Sequence, residues 1–248
     1  MSEATQAQWK PLARMRTHEQ VVAEIENRLH AGTLKAGDRL PPERQFAEAL
    51  GVSRGAVREA LRILEAIGVV EAGTGSGPSS GSMIVKDSTA GMAMVLRIHL
   101  QLASFTLADL VEVRIQMEAL AARQAAEYAT SNDIAELRAL VEEMRGVHDT
   151  PSFNDLDTAF HVRIAQASRN GLAATLMAAL REALRQAMVA GFEELEDVTA
   201  TMGRVADEHA GIVDAIADGD GDLAVERVTT HIRYFYRAVG LSELRWTG

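Results

Sequence analysis

The 248-residue chain contains no cysteine, which rules out disulfides and thiolate metal ligands and is compatible with a reducing compartment. Aromatic residues are only 4 % of it against 47 % hydrophobic in total, so its core must be packed mainly from Ala, Leu and Val. No stretch approaches the roughly 18 consecutive apolar residues that cross a bilayer. The best candidate, Met92 to Leu96, is cut short by Arg97. The opening residues MSEATQAQWKPLARMR lack the apolar segment of a secretory signal, and a cytoplasmic location with no membrane partner is the expectation. Internal repeats are absent, and the single low-complexity tract is a Gly/Ser run near residue 76.

Net positive charge is missing too. The chain carries −10 overall, the wrong sign for a non-specific binder of polyanions, but the charge is unevenly placed. Met1 to Lys86 holds 11 Lys+Arg against 10 Asp+Glu, about +1, and the rest holds 14 against 25, about −11. An acidic segment follows a nearly neutral one whose arginines are clustered. The length suits one large or two ordinary domains.

The clustered arginines lie in LPPERQFAEALGVSRGAVREALRILEAIG, Leu40 to Gly68. Phe46, Ala47 and Leu50 share one face of a helix expected over Pro42–Leu50. Gly51-Val52 form a turn, and Ser53 caps a second helix with Val57, Leu61 and Leu64 at helical spacing. Ala47 and Gly51 stand where crossing helices need a small residue and a backbone free to take positive φ. Arg54, Arg58 and Arg62, four apart, form a stripe on the outer side of the second helix, as a helix lying in a DNA major groove requires. A solvated basic face would carry the same stripe; the turn and the segments around it favour the DNA-binding reading.

A helix over Glu19–His30 precedes this hairpin, after an arm over residues 1–16 expected to be mobile. Gly37-Asp38-Arg39-Leu40 reads as a turn into a very short strand. Val69-Val70-Glu71 and Met83-Ile84-Val85 read as two β runs flanking the Gly/Ser loop Ala72–Ser82. Three helices and a two-stranded ribbon make a winged helix-turn-helix over residues 17–86. Beyond Lys86 the pattern is all-helical, with helices expected over Gly91–Ala103, Leu107–Tyr128, Ile134–Val147, Phe153–Ala167, Leu172–Gly191, Val198–Ala217 and Leu223–Val239. Polar breaks separate them, such as Ser104-Phe105-Thr106, Thr130-Ser131-Asn132 and Asp149-Thr150-Pro151-Ser152. The fold class expected is mostly α: a winged helix-turn-helix followed, over residues 91–240, by an antiparallel bundle of about seven helices.

Four bundle residues suggest a metal site. Asp157 and His161 are four apart on one helix, and His209 and His231 would join them from two others. Spacing alone is weak support, because Glu26 and His30 repeat it in the first segment, where a surface pair is expected. The apolar neighbours of His161 and His231 (Ala159, Phe160, Ile164; Val228, Ile232) imply buried imidazoles that need partners. Arg114 stands in an apolar helix and either pairs with Glu118 or anchors a ligand. Asn170 before Gly171 reads as a turn, a cap or a pocket residue.

The run GTLKAGDRLPPERQFAEALGVSRGAVREALRILEAIGVV resembles the DNA-binding domain of GntR transcription regulators, and the bundle resembles the FCD domain of their FadR subfamily. The first likeness covers about Val21 to Val85. It departs at Pro42, where the family often has Ser, and in the length of the wing loop. The second rests on the Asp-x2-Phe-His, Glu-His-x2-Ile and later His signatures at Asp157/His161, Glu208/His209/Ile212 and His231, and on Arg114/Glu118. The likeness implies that Arg44, Ser53, Arg54, Gly55 and Arg58 contact DNA, Gly55 allowing close approach and Arg62 touching phosphate or solvent. It implies a divalent ion (zinc first, or nickel or manganese) at Asp157, His161, His209 and His231, and a small carboxylate effector held with Arg114 and Asn170. One reading helix per subunit sees few base pairs, so a homodimer on a pseudo-palindromic duplex operator is expected. No enzymatic activity is expected. The alternatives are a metal-free acyl-CoA sensor, and a metal-dependent hydrolase or lyase fused to a DNA-binding module, for which no base or nucleophile has recognisable spacing.

Overall fold

The structure is a computed structural model that describes residues 15–72, 81–102 and 107–238, the side chains of Gln101 and Leu107 excepted. Most of the expected arm, the wing tip over 73–80, the break over 103–106 and the last residue of the final helix, Val239, lie outside the described residues. The chain divides into two compact units, Met1–Ser88 and Thr89–Gly248.

The first unit contains α1 (Thr17–His30), α2 (Glu43–Leu50), α3 (Arg54–Ala66), β1 (Val70–Glu71) and β2 (Met83–Ile84). Gly51 ends α2 with φ 66° and ψ 31°, the left-handed conformation that the turn demands and that glycine adopts without strain. Ser53 caps α3 by accepting from the Ala56 N–H at 3.2 Å. Val21, Ile25, Phe46, Val57, Leu61 and Leu64 close a small core with Val70 and Ile84 of the ribbon. The ribbon pairs Val70 with Ile84 and Glu71 with Met83. On its other edge β2 bridges Arg39 antiparallel to Met83, and Leu40 donates to the Ser82 carbonyl at 2.8 Å, so the short strand expected before the hairpin reduces to one bridge. Gly81 allows that approach: a Cβ there would meet the Leu40 carbonyl oxygen at 2.8 Å.

The second unit is helical: α4 (Thr89–Leu102), α5 (Leu107–Tyr128), α6 (Ser131–Arg145), α7 (Thr150–Ala167), α8 (Gly171–Glu193), α9 (Val198–Ala217) and α10 (Gly221–Ala238). The neighbours are α5 with α10, α7 with α8, α4 with α8, α9 with α10 and α6 with α9. Several helices begin earlier than the apolar periodicity suggests. Thr130 accepts from Asp133 N, Asp149 from Ser152 N and Asn170 from Ala173 N, so residues that look like polar breaks are caps and first turns; Asp197 likewise caps α9, which starts at Val198 as expected. Pro151 belongs to the first turn of α7, where its missing N–H costs nothing. Pro42 takes the cap position of α2, one residue before the place expected for it, and supplies no side-chain bond there. Phe153, Phe160, Phe192, Leu137, Ile212 and Ile232 fill the middle of the bundle. None of the described helices is long and apolar enough to cross a membrane.

Candidate metal centre and DNA-facing helix

Five helices bring polar atoms into the bundle interior. Asp157 and His161 come from α7, His209 from α9 and His231 from α10, and one donor atom of each lies within 4.8 Å of all the others. The Nε2 atoms of His209 and His231 face each other at 3.2 Å. Asp157 Oδ1 is 3.4 Å from His209 Nε2 and 3.6 Å from His161 Nε2. A divalent ion with donors at about 2.0–2.2 Å spaces adjacent donors at roughly 3.0–3.5 Å, so these separations suit one ion.

The opposite edge of each ring is occupied. His231 Nδ1 lies 3.0 Å from Glu208 Oε2, His209 Nδ1 lies 3.3 Å from Met144 Sδ of α6, and His161 Nδ1 abuts the Glu118 carboxylate of α5. A carboxylate behind an imidazole favours a proton on Nδ1 and leaves the Nε2 lone pair facing the cluster. Phe160 stacks on His209 with ring centroids 4.1 Å apart and fixes its plane. His161 Nε2 is buried without a hydrogen-bond partner among the described residues, an expensive arrangement unless a cation fills the gap. The donor set therefore fits a divalent ion.

Electrostatics agree with that use. Burial and then the neighbouring His231 push His209 well below the ordinary histidine value, so it is neutral at pH 7. Burial also lowers His231, against the opposing pull of its Glu208 bond. Burial alone would raise Asp157, but Arg181 and the histidines overcome it and hold the carboxyl well below its usual range. Glu118 behaves likewise, burial being outweighed by His161, Arg114 and Arg181. Neutral imidazoles and ionised carboxylates are the forms a metal binds.

Of the two expected effector residues, Arg114 is buried and donates from Nε to Glu118 Oε1 at 2.7 Å and from Nη1 to Tyr236 Oη at 3.0 Å. The structure thus contains the pairing expected as one of its two readings, and through Glu118 it reaches His161. Asn170 spends its side-chain oxygen on the α8 cap, 3.1 Å from Ala173 N. Sequence reasoning missed Arg181 of α8, whose Nη1 donates to Asp157 Oδ2 and whose Nη2 is 3.4 Å from Glu118 Oε1. Its signal was a charge among the buried Leu180, Ala183 and Leu184 of an Ala/Leu-rich helix.

In the first unit, Arg44, Ser53, Arg54, Gly55, Arg58 and Arg62 are all exposed. Among the described residues a Cβ on Gly55 would meet nothing nearer than Ser53 Oγ at 3.8 Å, so none of them requires glycine at that point of α3. Arg58 is held by Glu43 at the start of α2, Nη2 to Oε2 at 2.9 Å and Nε to Oε2 at 3.1 Å. Arg44 approaches Glu48 at 3.9 Å. Glu43 as the partner of Arg58 was not anticipated, because the pair joins two helices 15 positions apart.

A winged helix-turn-helix with an arginine-bearing second helix, followed in the chain by a helical unit, defines a DNA-binding transcription regulator. Residues 17–78 match the family described as bacterial regulatory proteins, gntR family, and residues 109–234 match the FCD domain. The chain belongs to the GntR family and carries an FCD domain, consistent with the FadR-type subfamily. It is 30 % identical over 222 residues to the Glc operon transcriptional activator of Escherichia coli K12, covering 86 % of this chain and 85 % of that protein. It is 31 % identical over 207 residues to the HTH-type transcriptional regulator LutR of Bacillus subtilis 168, covering 81 % and 91 %. The solved structure of a Streptococcus agalactiae GntR protein superposes with a TM-score of 0.61 at 23 % identity over 89 % of this chain and 99 % of that one, a likeness of fold. These relatives are transcription regulators, and the chain is a regulator and not an enzyme, which sets aside the hydrolase or lyase alternative.

Proposed function

We propose that this regulator binds a pseudo-palindromic duplex operator as a homodimer, and that a small carboxylate bound at a divalent ion in the bundle controls that binding. Residues 17–86 form the DNA-binding part and residues 91–240 the sensing and dimerising part. Arg44, Ser53, Arg54, Gly55 and Arg58 meet the DNA, arginine to guanine edges and Gly55 by close backbone approach. Arg58 exchanges Glu43 for DNA as it does so. Asp157, His161, His209 and His231 hold the ion, zinc in the first instance and nickel or manganese as alternatives. When bound, the ion supplies a Lewis-acid anchor for a carboxylate. Arg114 steadies Glu118 against His161, and Asn170 holds the start of the helix that carries Arg181. An effector that favours one arrangement of the bundle then shifts the population of DNA-competent dimers.

The observation that carries this reading is the convergence of four buried donors with His161 Nε2 left unpartnered. An acyl-CoA sensor would have no use for those donors. The test is a thermal-shift screen of small carboxylates with and without EDTA, since a ligand that binds the folded protein raises its melting temperature. Stabilisation that disappears with EDTA supports the reading. Stabilisation indifferent to EDTA, or by long-chain acyl-CoA alone, refutes it.

A further inference from the structure

Arg58 does not stand alone on its side of the first unit. Glu43, the first residue of α2 and the neighbour of Arg44 in the chain, reaches it in the second turn of α3. Oε2 of Glu43 accepts from Nη2 at 2.9 Å and from Nε at 3.1 Å. Oε1 lies 3.4 Å from Nε, so Arg58 uses little of what that oxygen can accept. Both side chains reach solvent, 56 % exposed for Arg58 and 40 % for Glu43. The buried faces of the two helices are made instead by Phe46 and Ala47 and by Val57, Leu61 and Leu64. An ion pair so exposed adds little to folding, so the fold gives small reason for an acid at this point.

An acid beside a base-reading arginine is a liability on DNA in general. Phosphates repel it, and once Arg58 turns to a base edge Glu43 loses the partner that neutralised it. A carboxylate can only accept, so in the major groove it needs a donor. Guanine and thymine present only acceptors there, adenine presents a donor beside an acceptor, and cytosine presents its N4 donor. Cytosine is therefore the base that best satisfies a carboxylate, and guanine and thymine are the ones it repels. Spacing agrees with this use. Successive bases along a strand are about 3.4 Å apart. The polar atoms of Glu43 and Arg58 are separated by 2.9 Å to 3.4 Å, so the two groups can face neighbouring base pairs.

We propose that Glu43 is a specificity-determining residue: as Arg58 takes a guanine, Glu43 accepts from the N4 amino group of a cytosine in the adjacent base pair. This rests on the placement of Arg58 at the DNA given above. The pair then serves two states, closed on itself away from the operator and divided between two bases on it.

The experiment is selection from a randomised duplex library by full-length wild type, Glu43→Gln and Arg58→Ala, with sequencing of each bound pool. Wild type should enrich a guanine and, at a neighbouring pair, a cytosine. Arg58→Ala should lose the guanine preference. Glu43→Gln should keep the guanine and replace the cytosine by adenine, whose N6 and N7 a glutamine engages together. Glutamine is isosteric with glutamate at an exposed position, so this variant should fold as wild type does. On the selected wild-type duplex with that cytosine changed to adenine, wild type should lose about 5- to 100-fold in affinity and Glu43→Gln less than about two-fold. A Glu43→Gln pool that retains the wild-type cytosine, or that changes only at the guanine, overturns the proposal while the base contact of Arg58 stands. An Arg58→Ala pool indistinguishable from that of wild type overturns both the proposal and the placement beneath it.

Discussion

Removing the Asp157 carboxylate should cost the bundle far more than the loss of one surface ion pair. The side chains of Asp157 and Arg181 are 5 % and 3 % exposed, and Asp157 is ionised throughout the neutral range because its neighbours hold its pKa low. Asp157→Ala leaves a buried guanidinium whose remaining counter-charge is Glu118 at 3.4 Å. Breaking a buried pair by deleting one partner costs about 3–5 kcal/mol, a large fraction of the roughly 5–15 kcal/mol that holds a domain together. For a unit of this size each kcal/mol moves the melting temperature by about 2–4 °C, so a fall of about 6–20 °C is expected. Removing the partner as well should restore most of the loss, since apolar replacement of both members of a buried pair is close to neutral. The assay is urea denaturation and thermal melting of wild type, Asp157→Ala, Arg181→Met and the double variant, all in EDTA so that ligation of an ion does not contribute. A cost below about 1 kcal/mol, or a double variant no more stable than Asp157→Ala, would refute the pairing argument.

Three further outcomes follow from the same geometry. Arg58→Ala should lose about 1–3 kcal/mol of specific operator affinity in a salt-controlled titration, whereas Arg62→Ala should weaken binding by less and equally across sequences; equal losses of specificity would remove the distinction between them. Asn170→Ala should cost about 1 kcal/mol in denaturant unfolding through the lost α8 cap, and unaltered stability would show that the cap bond is idle. Burial would raise the Asp133 carboxyl, but bonds from Thr130 and Arg163 outweigh it and depress its pKa. Its contribution is therefore present above the unfolded carboxylate value of about 3.9 and is lost as pH falls from there towards the folded value. Asp133→Asn should flatten the acid limb of stability measured between about pH 2 and pH 5, and an unchanged limb would contradict the assignment.

The hairpin was readable because its determinants are local. Gly51 for the left-handed turn, Ser53 for the cap and Val57, Leu61 and Leu64 for the buried face all act within a few residues of each other. Apolar periodicity places several helix starts too late for a related reason. Thr130, Asp149 and Asn170 resemble breaks in composition, and only the backbone N–H groups they satisfy reveal them as caps. At the candidate centre, Asp157 and His161 were legible as a pair through their spacing, while their company with His209 and His231 came from apolar surroundings and family resemblance. Arg181 and the contact of Glu118 with His161 were not legible. Each depends on the register between helices packed face to face, which no local pattern encodes: Glu118 and Arg181 are 63 positions apart. Glu43 and Arg58 illustrate the same limit in the DNA-facing unit.

Whether the Asp157, His161, His209 and His231 cluster holds a divalent ion decides how the bundle is used. Elemental analysis of the protein purified without chelator, beside the His209→Ala/His231→Ala double variant, tests it directly. A divalent transition metal stoichiometric with the wild-type chain and lost from the variant is the expected result. Metal-free wild type, or a variant that retains as much metal as wild type, would contradict it.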